Sequence, residues 1–159
     1  RTSKNQIVWG ANHFISRMPK DSKCWIIWDK KNDGFSFADG EMAWTSFDKN
    51  TKKFTYMLNG NAGREPYTIH PTQKPVALYK WLLSRYAKTS DTILDTHGGS
   101  GSSVIACLDM GYSITWIEKD EDYYNAALKR IKDFAAQPKL PLDDTPEPVE
   151  QWLGLEEGA

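Results

Sequence analysis

The 159-residue sequence lacks several features that would place it in a specialised class of protein. No apolar run approaches the ~20 residues of a membrane-spanning helix, and no signal peptide is recognisable, so we expect a cytoplasmic protein without membrane attachment. Cysteine is scarce: Cys24 and Cys107 are the only two, and both lie in apolar runs without metal-ligand spacing. This pattern predicts buried free thiols in a reducing compartment and no metal site.

The sequence also has little net charge, −1 in total, but that charge is unevenly distributed. Residues 137–159 hold six acids and one lysine, a net −5, which leaves +4 on residues 1–136. The same segment contains four prolines, which break helices and lack a backbone donor. We therefore predict one mildly basic folded domain over residues 1–136 and an acidic, proline-rich, solvated tail over residues 137–159.

What the sequence contains is a set of short apolar runs followed by alternating strand and helix patterns. The first half has four β-rich runs separated by turn-forming loops: residues 7–9, 24–28, 43–47 and 54–57. In the second half, Pro75 opens a helical pattern, residues 92–95 predict a strand, and the next helix ends at Gly111. Residues 113–118 predict another strand, and Asp120 caps a last helix. This alternation predicts an α/β fold.

A glycine-rich loop, residues 96–101, joins the strand that ends at Asp95 to the following helix. Glycines let backbone groups approach a ligand closely, and an acid after the next strand, Glu118, can accept both hydroxyls of a ribose. The loop alone is a weak signal, because many such turns contain glycines for tight turning only. The phosphate-binding pattern G-x-G-x-x-G lacks its third glycine here, since that position is Val104, which disfavours a dinucleotide dehydrogenase. A ligand with ribose and adenine but no pyrophosphate, such as S-adenosylmethionine, fits better.

Four segments are similar to motifs of one enzyme family. Residues 70–75 read His-Pro-Thr-Gln-Lys-Pro, residues 95–102 read Asp-Thr-His-Gly-Gly-Ser-Gly-Ser, residues 117–120 read Ile-Glu-Lys-Asp, and residues 9–14 read Trp-Gly-Ala-Asn-His-Phe. On these segments the sequence resembles the phage-type amino-group DNA methyltransferases (N6-adenine or N4-cytosine), whose catalytic region precedes the cofactor region. The resemblance covers roughly residues 5–134 and departs from the family's Asp-Pro-Phe-x-Gly-Ser-Gly-Thr loop at Thr96 and His97.

The resemblance implies a Rossmann-like methyltransferase sheet that binds S-adenosylmethionine, with helices on both faces and strand order 3-2-1-4-5-7-6. The cofactor half would occupy roughly residues 69–134. The family's catalytic motif, Asp/Asn/Ser-Pro-Pro-aromatic on the central strand, has no counterpart, because the sequence contains no Pro-Pro. In the family this motif precedes the segment found here at residues 7–10, and the chain opens on Arg1 rather than Met. We therefore expect a sheet incomplete at its N-terminal side, completed by a missing N-terminal segment or by a second chain.

By the same resemblance, the methionine part of the cofactor would lie against Asp95 and the loop backbone of Gly98, Gly99, Ser100 and Gly101. Glu118 would hold the ribose hydroxyls. The cofactor carboxylate would be covered by Thr72, Gln73 and Lys74, although Lys74 keeps an alternative interpretation as a solvated lysine before a helix. His97 is better explained as a packing substitute for an aromatic residue than as a base.

The function that the resemblance implies is methyl transfer from S-adenosylmethionine to an exocyclic amino group of a base in double-stranded DNA, with adenine N6 favoured. Two alternatives stay open: a non-catalytic cofactor-binding remnant or subunit, and a methyltransferase that acts on RNA or protein. A phage or prophage origin is a further expectation, and the sequence leaves open whether a restriction partner exists and whether the chain forms a homodimer.

Few residues are available for DNA contact. Lys52, Lys53 and Arg64, with Lys49, are the candidates for binding phosphates, although solvated loop lysines are the default interpretation. Trp44 or Phe47 could help hold a flipped base, but core packing is the favoured interpretation of either residue.

Overall fold

The computed structural model describes residues 3–32, 38–57 and 68–138, and the chain divides into two compact units, Arg1–Tyr67 and Thr68–Ala159. Within its described residues, the first unit has four strands: β1 (Ile7–Trp9), β2 (Trp25–Asp29), β3 (Gly40–Thr45) and β4 (Lys52–Thr55), with two short 3-10 helices at Ala11–His13 and Ile15–Arg17. Over residues 68–138, the second unit has three helices and two strands: α1 (Val76–Tyr86), β5 (Thr92–Asp95), α2 (Ser102–Met110), β6 (Ser113–Trp116) and α3 (Glu121–Ala135). The predicted α/β class is confirmed.

The sheet of the first unit has the strand order β1-β3-β2-β4. Strand β3 is antiparallel to both β1 and β2, whereas β4 is parallel to β2. The order β1-β3-β2 agrees with the 5-7-6 end of the expected sheet, and β4 adds a strand at the edge. In the described ranges, no strand corresponds to the strands numbered 3 and 4 in the expected sheet.

Two tryptophans form the centre of the first unit's core. Trp28 and Trp44 are each 1% exposed, and their neighbour Ile26 is fully buried. A buried indole N–H needs an acceptor; that of Trp28 donates to the Tyr56 carbonyl at 3.2 Å, and that of Trp44 to the Lys20 carbonyl at 3.1 Å. Core packing is therefore the role of Trp44, as favoured from the sequence.

In the second unit, β5 and β6 are parallel neighbours, so their carboxyl ends meet at one edge of the sheet. The helix boundaries follow the sequence signals. Helix α1 begins directly after Pro75, Gly111 ends α2 in the left-handed conformation at φ 74°, and the Asp120 carboxylate accepts the Tyr123 N–H at 3.0 Å ahead of α3.

The helices of this unit pack on one face of the β5–β6 pair, the face that carries Ile93, Ile114 and Trp116. The core residues of α2 include Val104, Ile105, Ala106 and Cys107, all 4% exposed or less, and α3 contributes the fully buried Ile131. Strand residues that alternate with that face, among them Leu94 at 38%, are exposed. Helices were expected on both faces of the sheet. In the described part of this unit, they cover one face.

Cys24 and Cys107 are both buried free thiols, as expected. Burial raises the pKa of the Cys107 thiol to about 12, with a smaller effect from the Asp95 charge. Over the described ranges, no helix has the length and apolar character needed to span a membrane. The predicted acidic tail lies outside the described residues from position 139 onwards.

Candidate functional site

The carboxyl ends of β5 and β6 carry the two acidic residues that the sequence singled out. Asp95 is the last residue of β5, and Glu118 follows β6 by two positions. The Ile117 amide donates to the Asp95 carbonyl at 2.9 Å, which extends the contact between the two chain segments past the end of β6. Ligands of open α/β sheets bind in the crevice at this edge. The register therefore brings Asp95 and Glu118 to the expected end of the sheet.

Glu118 is held by backbone amides from both sides. One carboxylate oxygen, Oε2, accepts the Gly99 N–H at 2.8 Å, and Oε1 accepts the Asp120 N–H at 3.0 Å. The Asp120 amide is the largest cause that lowers the pKa of Glu118, and the Gly99 amide and the nearby His70 act in the same direction. Each oxygen of the resulting carboxylate keeps further lone-pair capacity, so Glu118 can accept from two hydroxyls while fixed in position.

Asp95 fixes the opposite side of the loop. Its Oδ1 accepts the His97 N–H at 3.0 Å, and its Oδ2 accepts the Ser103 hydroxyl at 2.6 Å. Because Ser103 lies in the first turn of α2, this carboxylate ties the end of β5 to the start of the helix. His97 is exposed, and its Nδ1 lies 2.9 Å from the Thr96 hydroxyl, so its interpretation as a packing substitute is wrong.

Two glycines of the loop are required by the protein's own packing. A Cβ on Gly98 would overlap the indole of Trp116, which lies directly against the loop. Gly101 has φ 72°, and a Cβ there would lie 2.8 Å from Cδ1 of Ile131. The sequence suggested that the glycines allow a ligand to approach, and the structure adds that β6 and α3 occupy the space at these two positions.

The amides of the loop are largely used inside the protein. Besides the His97 and Gly99 amides, the Gly98 N–H donates to the Ile117 carbonyl at 2.9 Å and the Gly101 N–H to the Gly98 carbonyl at 3.0 Å. A phosphate cradle needs several free N–H groups aimed at the anion. These four amides are therefore not available to a pyrophosphate, and the groups beside the loop are the carboxylates of Asp95 and Glu118.

The His-Pro-Thr-Gln-Lys-Pro segment reaches the loop through its histidine. The His70 ring lies 3.5 Å from the position of a Cβ on Gly99 and packs edge-on against Tyr123, with 4.4 Å between ring centroids. The Thr72 N–H donates to Nδ1 of His70 at 3.2 Å, and Oε1 of Gln73 accepts the Ile69 N–H at 3.0 Å. Thr72 and Gln73 thus shape the turn that holds His70.

The structure brings together some of the predicted residues. Asp95 and Glu118 are joined to the loop by hydrogen bonds. Lys74 is half-buried and lies just before α1. Residues that the sequence did not assign to the site but that contact the loop or its carboxylates are His70, Ser103, Trp116 and Arg130. His70 lay inside the matched motif, and Ser103 bonds to Asp95 only eight residues away, so its signal was local but was missed. Trp116 had no local signal, because its contact with Gly98 depends on how separate segments pack.

The residues proposed to contact DNA belong to the first unit. Lys52 and Lys53 are both exposed on β4, and adjacent strand residues point to opposite faces of a sheet, so the two do not form one phosphate-binding face. Nζ of Lys53 pairs with Asp29 at 3.0 Å. Lys49 is exposed, and its Nζ lies 5.7 Å from the Phe47 ring centroid. Arg64 lies outside the described residues.

Comparison with known proteins gives the family. Residues 4–129 match the family described as DNA methylase (N6_N4_Mtase). The chain is 30% identical over 146 residues to the type II methyltransferase M2.LlaDCHI of Lactococcus lactis subsp. cremoris, an alignment that covers 80% of this chain and 50% of that protein. It is 32% identical over 82 residues to the type II methyltransferase M.HpaI of Haemophilus parainfluenzae, covering 52% of this chain and 25% of that protein. The chain belongs to the DNA methylase family and spans half the length, or less, of these relatives.

A solved structure supports the fold. The crystal structure of the M1.HpyAVI–SAM complex resembles the chain with a TM-score of 0.62 at 24% identity, covering 80% of this chain and 74% of that one. At this identity the likeness establishes the fold alone, which is that of the methyltransferase sheet expected from the sequence.

The contact between Gly98 and Trp116 predicts that the stability cost of enlarging Gly98 depends on the size of residue 116. Gly98→Ala should lower the free energy of unfolding by about 1–3 kcal/mol, because the added methyl group overpacks the indole. The φ of Gly98 lies outside the left-handed region, so backbone strain does not contribute. In a Trp116→Leu background the same change should cost less than half as much, measured by denaturant unfolding. An equal cost in both backgrounds would contradict the packing account.

The hydrogen bonds to Glu118 predict a pH dependence of stability. Because its pKa is lower in the folded chain than the ordinary value of about 4.3, ionised Glu118 favours folding. This contribution is present above that ordinary value and is lost as pH falls through the lowered pKa. The difference in unfolding free energy between the unmodified chain and Glu118→Gln should therefore shrink between about pH 7 and pH 3. The exposed Glu121→Gln is the control, and a constant Glu118 difference over this range would refute the assignment.

Proposed function

We propose that this chain binds S-adenosylmethionine at the carboxyl ends of β5 and β6. We further propose that it works within an enzyme that methylates an exocyclic amino group of a base in double-stranded DNA, with adenine N6 as the favoured acceptor. The observation that carries the proposal is the Gly99 N–H donating to the Glu118 carboxylate at 2.8 Å, beside Asp95 at the end of the adjacent strand.

The ribose position is argued from Glu118. Its two oxygens are fixed by the Gly99 and Asp120 amides and keep lone pairs for two neighbouring hydroxyls. A bidentate carboxylate acceptor at the end of the second strand is the arrangement by which α/β sheets hold a ribose. We therefore assign the ribose hydroxyls to Glu118.

The charge of the site supports a cationic rather than an anionic ligand. Asp95 and Glu118 contribute two carboxylates, and the four loop amides described above donate within the protein. S-adenosylmethionine carries a sulfonium and an ammonium group, and when bound it supplies an electrophilic methyl group. We assign the ammonium-bearing methionine part to Asp95 and the loop from Gly98 to Gly101.

Thr72, Gln73 and Lys74 keep their assignment beside the carboxylate of the methionine part. Thr72 and Gln73 act by shaping the turn around His70, which lies against Gly99 and near Glu118. Lys74 is the one cation among these three residues, so it is the residue of this segment that can pair with a carboxylate.

The reaction itself places two demands on the whole enzyme. The acceptor nitrogen must attack the methyl carbon in line as the carbon–sulfur bond breaks, and the amine must then lose a proton. The target base must also leave the duplex stack, because its amino group is not reachable inside it. The chain lacks the Pro-Pro motif, so we assign these tasks to sequence preceding Arg1 or to a second chain.

Binding of DNA is assigned to basic residues of the first unit. Lys52 is exposed on β4 and is the preferred phosphate contact, because the Asp29 carboxylate already neutralises Lys53. Lys49 and Arg64 are the other two residues to which we assign phosphate contacts. Such contacts predict an affinity that falls steeply with added salt.

The cofactor site makes a direct prediction for binding. Asp95→Ala and Glu118→Ala should each weaken S-adenosylmethionine binding by more than about tenfold, because each removes a charge-assisted contact. Isothermal titration calorimetry measures this effect. Asp133→Ala is the matched control, since that carboxylate is exposed on α3 and pairs only locally with Lys129 at 2.7 Å. Unchanged affinity in both site variants would show that the cofactor is wrongly placed.

Methyl transfer tests the activity. The gene product, expressed with any coding sequence that precedes Arg1, is incubated with S-[methyl-³H]adenosylmethionine and with duplex DNA, RNA or protein. We expect label in duplex DNA, recovered as N6-methyladenine after nuclease digestion. N4-methylcytosine would correct the acceptor, and label in RNA or protein would overturn the DNA assignment. Cofactor binding without any transfer would favour a non-catalytic subunit.

A further inference from the structure

Arg130 joins helix α3 to the start of helix α2. Its Nη1 donates to the Ser100 carbonyl at 2.7 Å and to the Ser102 hydroxyl at 3.0 Å. Ser100 is 4% exposed and Ser102 is 2% exposed, so both acceptors are buried, while Arg130 itself is half-buried. The contact therefore spans about thirty residues of sequence and ends on the second half of the glycine-rich loop.

The direction of the bond between Arg130 and the Ser102 hydroxyl is fixed by the arginine. A guanidinium has no acceptor, so the Ser102 hydroxyl must accept from it. The Ser102 proton is then available to the Ser100 hydroxyl, whose Oγ lies 3.1 Å away. Without Arg130, the buried Ser100 carbonyl and Ser102 hydroxyl would each lose a charged donor.

Helix stability does not explain this placement. The N-terminus of α2 carries the positive end of the helix dipole, so a cation there is electrostatically unfavourable for the helix. The loop gives a better reason. Arg130 holds the Ser100 carbonyl, and its neighbour Ile131 packs against Gly101, so two consecutive residues of α3 fix the same part of the loop.

Apart from the bond between the Gly101 amide and the Gly98 carbonyl inside the loop, the two halves of the loop are held by different elements. Gly98 and Gly99 are bonded to Ile117 and Glu118 after β6, whereas Ser100 is bonded to Arg130 of α3. Glu118 also keeps its bond from the Asp120 amide, which does not involve the loop. Loss of Arg130 should thus release the second half of the loop and leave the ribose-binding carboxylate in place.

We propose that Arg130 is a positioning residue that holds the glycine-rich loop in the conformation that binds the methionine part of the cofactor. This inference rests on the proposed cofactor site. Arg130 acts through Ser100 and Ser102 and has no direct contact with the ligand in this account.

The test compares two ligands that share the adenosyl group. S-adenosylhomocysteine carries the amino acid part, and 5′-methylthioadenosine lacks it. In Arg130→Met, we expect affinity for S-adenosylhomocysteine to fall by about tenfold, or about 1.4 kcal/mol, and affinity for 5′-methylthioadenosine to change by less than about twofold. Arg130→Lys keeps one charged donor, so its affinity for S-adenosylhomocysteine should lie between those of the unmodified chain and Arg130→Met. Lys129→Met, which changes the exposed neighbour on the same helix, should leave both affinities unchanged.

Calorimetry of all four proteins separates the outcomes. Equal losses for the two ligands in Arg130→Met and Arg130→Lys would indicate a general structural role and overturn the proposal, as would unchanged affinity for S-adenosylhomocysteine. If Arg130→Met does not fold, Arg130→Lys alone must show the same selective loss. If the unmodified chain binds neither ligand, the proposed cofactor site fails, a result distinct from a failure of the Arg130 assignment.

Discussion

The hydrogen bond from the Gly99 amide to the Glu118 carboxylate is the interaction on which the site depends. It crosses from the turn after β5 to the segment after β6, so it links the two strand ends at which we propose that the cofactor binds. The Asp120 amide holds the same carboxylate from the other side and begins the turn into α3. One side chain thus connects the loop, the second strand and the following helix.

The glycine-rich loop is a tightly packed element of the protein as well as a proposed ligand surface. Trp116 occupies the space beside Gly98, Ile131 the space beside Gly101, and His70 lies against Gly99. Four of the loop amides, those of His97, Gly98, Gly99 and Gly101, donate to acceptors within the protein. This arrangement explains why a loop with so many glycines lacks the character of a phosphate-binding turn.

The local elements of the second unit could be predicted from the sequence because their signals are local. Asp120 caps α3, Gly111 ends α2, and β5 ends at Asp95, all as the pattern indicated. The contacts of Trp116 and Arg130 could not be predicted, because each depends on how distant segments pack. The bond between Ser103 and Asp95 spans only eight residues and was missed although it is local. The first unit shows the same limit: the four β-rich runs became strands, but the position of β3 between β1 and β2 is set by tertiary pairing.

A crystal structure of the chain with S-adenosylhomocysteine tests the central claim most directly. We expect both ribose hydroxyls within hydrogen-bonding distance of the Glu118 carboxylate. We also expect the amino acid part beside Asp95 and the Gly98 to Gly101 loop. A ligand bound away from the ends of β5 and β6, or one that leaves Glu118 without a ribose contact, would contradict it.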